Sequence, residues 1–211
     1  MNCNPSDEEN IYVGNGEHIN VKLTEVFDSV EMARNIPKDL QTFRYDTYVS
    51  DAAGPSKASR QDGIYGLLNE FTAYYWGAHN DWTLQDYDTI RWHIIREVDE
   101  NGRIHIWHDY ALMNGPQSYA EFRYWILQYM LYAKEHYPDV YQGILDNDSF
   151  RLAFSTIDAL FGDIALREKE HNLSKIAGLG GYFGSMNTDY DMLMAEMAKP
   201  EYQEMLSLLK P

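Results

Sequence analysis

The stretch from Asp62 to Gly77, DGIYGLLNEFTAYYWG, sets the tightest limits on how this chain can fold. Ile64, Leu67, Leu68, Phe71, Tyr74 or Tyr75, and Ala78 recur three and four apart, which puts them on one stripe of an amphipathic helix that must be buried. Asp62 stands at its N-cap position. On a neighbouring stripe Gly66, Glu70, Ala73 and Gly77 recur, so one carboxylate is flanked along the helix by residues with little or no side chain. Each interior glycine costs a helix roughly 0.8–1 kcal/mol relative to alanine. A stripe that keeps them reads as a groove, used for close packing or for a ligand, with Glu70 at its centre and Asn69, Tyr74 and Trp76 around it.

Elsewhere the patterns are mostly helical. Leu23, Val26, Phe27, Val30 and Ala33 predict a helix over 21–36 that Pro37 stops, followed by a turn at 38–43 and a loop over 45–59. A second helix is expected from Thr83 to about Val98. Asn101-Gly102 then reads as its C-cap, or as the turn of a short β-hairpin within 90–108; the Ile94-Ile95 doublet breaks the alternation a strand needs and favours the helix. A long aromatic helix over 117–136 ends before Pro138, a short one follows at 139–145, and the stripe Phe150, Phe154, Ile157, Phe161, Ile164 marks another. A glycine-rich loop at 178–184 precedes two short closing helices. The expected architecture is mainly α, a bundle-like helical array over 21–211 behind a flexible polar tail at 1–20.

Composition narrows the partners. Seventeen Lys and Arg against 33 Asp and Glu give a formal charge of −16, the opposite of a nucleic-acid-binding surface. No apolar run is long enough for a transmembrane segment. The single cysteine, Cys3, excludes an intramolecular disulfide and a Cys-based zinc knuckle. There is no Gly-x-Ser-x-Gly and no phosphate-binding loop. Glu168 and His171 form one Glu-x-x-His without the second copy a di-iron bundle requires, in a charged segment that reads as a solvated helix end.

The run Gly66-Leu-Leu-Asn-Glu-Phe-Thr-Ala-Tyr-Tyr-Trp-Gly77 resembles the helix that carries the third zinc ligand in gluzincin, thermolysin-like metallopeptidases, with Asn69-Glu70, Ala73, Trp76 and Gly77 matching that pattern. The resemblance implies that Glu70 takes the place of the ligand glutamate. Tyr74 stands where the family has an aspartate that orients a zinc-bound histidine, and the sequence holds no His-Glu-x-x-His to supply two ligands and a general base. It therefore points to a non-catalytic relative that binds a peptide, glycan or protein in the groove around Glu70, without a cofactor. The alternative is a zinc hydrolase in which Glu70 works with histidines from His79, His93, His105 and His108. A helical interaction domain without a ligand pocket is the third expectation.

Cys3 and the acidic run Asn-Pro-Ser-Asp-Glu-Glu-Asn after it resemble the mature start of a bacterial lipoprotein. That resemblance implies lipid on Cys3 and an extracytoplasmic location, periplasmic or at the cell surface; without it the expectation is cytoplasmic.

Overall fold

The computed structural model describes the backbone of residues 8–96, 106–175 and 182–211, and the side chains among them outside 85–113 and 172–187. In chain order come strands β1 (Glu8–Gly14) and β2 (Glu17–Lys22), the one-turn helices α1 (Val30–Ala33), α2 (Tyr45–Tyr48) and α3 (Ala58–Gln61), then α4 (Gly63–Arg96), α5 (Ile106–His136), α6 (Pro138–Leu145), α7 (Asp148–Lys175), α8 (Tyr182–Met197) and α9 (Pro200–Leu208). The fold is mainly α, and its described β-structure is one short antiparallel hairpin.

Helix α5 is the centre of the array, with α4, α6, α7, α8 and α9 all packed against it. A helix that is apolar all round belongs in an interior. Phe122, Tyr124, Trp125, Ile126, Leu127, Tyr129 and Met130 are accordingly buried around the middle of α5, where only Arg123 and Gln128 are partly exposed. The helix also begins earlier than the expected residue 117, because it runs straight through Pro116. Proline in a helix interior forfeits one hydrogen bond and costs about 3 kcal/mol, and the flanking α4 and α7 supply enough buried contact to hold the helix through it.

The apolar stripe of α4 is buried as its spacing requires: Ile64, Leu67, Leu68, Phe71, Tyr75 and Ala78 all face inward. Phe71 meets the rings of Tyr119, Phe154 and Phe161, joining α4 to α5 and α7. The α7 stripe from Phe150 to Ile164 is likewise core. Gly77 does not end α4, which continues to Arg96 and absorbs the separate helix expected from Thr83. Residues 90–96 and 106–108 are helical rather than paired strands, and the turn expected at Asn101-Gly102 lies outside the described residues.

The hairpin sits instead near the start of the chain, within the segment expected to be a tail. Glu8 pairs with Lys22 and Ile11 with Ile19, and Gly14, Asn15 and Gly16 turn the chain with positive φ angles. Only Ile11 and Val21 are fully buried, and they join the main core cluster. The helix expected over 21–36 shrinks to α1 because β2 takes its first residues and Tyr129 takes the backbone of Phe27. The Tyr129 hydroxyl accepts from the Phe27 N–H at 2.8 Å and donates to the Phe27 carbonyl at 2.9 Å, so neither group is free for a helical ladder. Their rings stack 3.9 Å apart.

Candidate functional site

At about 100° per residue, Asn69 and Trp76 share one edge of the outer face of α4, Tyr74 lies on the other, and Ala73, Gly77 and Glu70 fall between them. The rest of the fold raises a wall on each edge. On one side β1 lies along the helix: Asn69 Nδ2 donates to Glu9 Oε2 at 2.8 Å, and Trp76 Nε1 donates to the Tyr12 carbonyl at 3.1 Å while its ring stacks on Tyr12. Seven residues of helix and three of strand both advance about 10 Å, so the two contacts keep step. On the other side the Tyr74 hydroxyl meets that of Tyr48 at 3.0 Å, and Lys57 places its ammonium 4.7 Å from the Tyr48 ring centroid.

These walls make a channel with a closed and an open end. Gly66 lies under α3, where a Cβ would overlap the backbone of Ala58 and Ser59. Ala73 and Gly77 are exposed, and a Cβ on Gly77 would meet nothing within 4 Å. The stripe of small residues thus divides in two. Its first glycine serves helix packing, and the rest is open floor.

Glu70 stands half-buried in this floor. Burial pushes its carboxyl above the ordinary carboxylate range, opposed by the positive charge of Lys57. The Tyr48 hydroxyl is raised too, first by burial, then by its bond to Tyr74 and the charge of Glu70. Behind the Tyr74 wall is the most buried ion pair described: Arg44 Nη1 lies 2.5 Å from Glu121 Oε2, the Arg44 N–H donates to Glu121 Oε1, and Asn114 and Gln117 accept from the guanidinium. That guanidinium also sits 5.0 Å from the Tyr74 ring centroid, so the wall is braced from inside.

The structure brings Asn69, Glu70, Tyr74 and Trp76 together and sets His79 and His93, two of the four candidate zinc-binding histidines, away from Glu70. His79 follows Glu70 by nine residues on one continuous helix, about 13.5 Å along the axis and on the opposite side. The two cannot reach one ion at ligand distances of about 2 Å. His79 packs instead beside the rings of Tyr75 and Trp76. His93 is about 35 Å from Glu70 along the same helix, by the same arithmetic. The side chains of His93 and His108, and all of His105 and Cys3, lie outside the described residues. Among the described residues no group of three or more His, Cys, Asp or Glu is placed to hold a metal ion.

The segment around Glu168 differs from its sequence reading. Glu168 is 0 % exposed, at the junction of α4, α5 and α7, and neither carboxylate oxygen has a hydrogen-bond partner among the described residues. Burial, reinforced by the charge of Asp81, pushes its pKa up to about 9. The signal was present in the spacing: Ile157, Phe161, Ile164 and Glu168 continue one core stripe of α7.

Comparison of the chain with protein-family models, with curated proteins and with solved structures finds no match.

Proposed function

We propose that this protein is a non-catalytic binding protein whose ligand, a peptide, glycan or segment of a protein partner, lies in the α4 channel over Glu70, Ala73 and Gly77. The observation that carries this reading is the pairing of an open, side-chain-poor floor with two aromatic walls and one half-buried carboxylate. Binding sites of this kind join stackable ring faces to a few placed polar groups. The sequence resemblance to the third-ligand helix of gluzincin peptidases fits the same site, as a relative that retains the carboxylate helix and uses it for recognition.

Filling the floor tests the reading. Ala73→Trp and Gly77→Trp point into open space and leave the core stripe of α4 untouched, so neither variant melts well below wild type. Wild-type protein immobilised on a surface is expected to retain members of a mixed panel of peptides and oligosaccharides that both variants fail to retain. Equal retention by all three proteins overturns the channel as the binding site.

The zinc-hydrolase reading keeps one supporting observation, the half-exposed Glu70 at the position of the resembled ligand. Zinc titration by calorimetry separates the two. Near-stoichiometric binding abolished by Glu70→Ala supports the hydrolase reading, and peptide hydrolysis by the zinc-loaded protein then displaces the non-catalytic one.

A further inference from the structure

We infer that the ligand of the channel is an extended, lysine-bearing peptide whose ammonium group is received beside Glu70, in the place Lys57 now holds. This inference rests on the channel being a ligand site and specifies what it accepts.

Both aromatic side chains of the inner wall already carry cations on their faces. Arg44 lies over Tyr74 at 5.0 Å and Lys57 over Tyr48 at 4.7 Å. An ammonium over a tyrosine face beside a partly desolvated carboxylate is favoured twice, by the ring quadrupole and by the anion. The two cations are held very differently. Arg44 is locked into the buried pair with Glu121. Lys57 precedes the single turn of α3 on a partly exposed loop, and its ammonium makes no hydrogen bond or ion pair among the described residues. It acts as an internal stand-in for a ligand's lysine.

The remainder of the channel suits a polypeptide. From Glu70 to Gly77 the floor runs about 10 Å, the length of roughly three extended residues. Beyond Glu70 that floor carries only the Ala73 methyl and the bare Gly77. The surrounding charge selects the same partner: Glu9 stands on the opposite wall, Asp62 acts on Glu9, and the whole chain carries −16. An acidic segment is repelled by this field, and a neutral sugar draws nothing from it.

The test uses the full chain and three pentapeptides with blocked ends, Ala-Ala-X-Ala-Ala with X as Lys, Gln or Glu, followed through the amide signals of Ala73 and Gly77 and the indole N–H of Trp76. The lysine peptide is expected to shift these signals with at least tenfold higher affinity than the glutamine peptide at low salt, and the glutamate peptide to leave them unmoved. Glu70→Gln removes the preference for lysine. Lys57→Met, which vacates the ring face, tightens the lysine peptide at least threefold. Equal binding of the lysine and glutamine peptides, or an unchanged affinity in Lys57→Met, overturns the inference while leaving the channel as a site. Binding of oligosaccharides in place of all three peptides overturns it in favour of a glycan ligand. Failure of the Ala73→Trp test removes the site itself.

Discussion

The carboxyl group of Glu168 occupies the notch that Gly115 leaves in the side of α5. Any side chain at 115 would overlap it, and the Ala78 methyl closes the notch from α4. A buried carboxylate without donors is far costlier than a neutral acid, so the group keeps its proton.

Stability should therefore fall as pH rises. The unfolded chain releases this proton near the ordinary value of 4.5, whereas the folded protein holds it to about 9. Between those limits the folded state binds more protons, and its advantage shrinks with every step in pH. Glu168→Gln has no proton to hold. Relative to wild type it should gain several kcal/mol between pH 5 and pH 9, read from urea melts at pH 5, 7 and 9. A difference that is the same at all three values would show that Glu168 ionises freely in the fold.

Gly66 and Gly77 should respond to alanine with opposite signs. At Gly66 the new methyl meets the Ala58 carbonyl, which is backbone and cannot swing aside, so Gly66→Ala should cost roughly 2–3 kcal/mol or more. At Gly77 the methyl enters open space, and Gly77→Ala should add about 0.8–1 kcal/mol through helix propensity. Denaturation midpoints of the two variants measured side by side decide the matter, and equal signs would refute the division of the stripe.

Breaking the buried pair from one side strands a charge. Glu121→Ala should cost about 3–5 kcal/mol, whereas Arg44→Met combined with Glu121→Leu should recover most of that loss. A double variant no better than the single one would mean that the hydrogen bonds from Arg44 to Asn114 and Gln117 matter more than the ion pair.

Tyr129→Phe leaves both backbone groups of Phe27 buried and unsatisfied. The expected loss is about 1–3 kcal/mol, with the ring stack retained. Hydrogen exchange at the Phe27 amide should accelerate more than exchange in α7. Uniform acceleration across the protein would instead mark a global effect.

Much of the fold was legible because helix periodicity is a strong signal where one face is core. The stripes of α4 and α7 are buried residue for residue. What escaped were features decided by tertiary contact. Gly77 and Pro116 look like stops locally, but α4, packed along its inner face, and α5, buried around Pro116, continue through them. The hairpin was illegible because only Ile11 and Val21 need burial, leaving an alternation too sparse to stand out from polar chain. Of the candidate site, the floor and Glu70 could be read from spacing on one helix. Its walls could not, since Glu9, Tyr12, Tyr48 and Lys57 belong to other segments. Glu168 was passed over because Arg167, Lys169 and Glu170 surround it in sequence while facing away from it in the fold.

The two walls of the channel also differ in how far the chain must travel to build them. Tyr48 and Tyr74 are separated by 26 residues, whereas Glu9 and Asn69 are separated by 60 and Tyr12 and Trp76 by 64. Longer closures cost more entropy before their contacts repay it, though the cost rises slowly with length. The hairpin has its own local ladder, and it takes its final position against α7 as well as α4. The expected order is that the inner wall forms with the helical core and the outer wall docks last. Pulse-labelled exchange during refolding should protect the amides of α4 and α5 before the outer contacts of β1. On that expectation the channel is a late product of folding, completed when the hairpin settles onto α4 and α7.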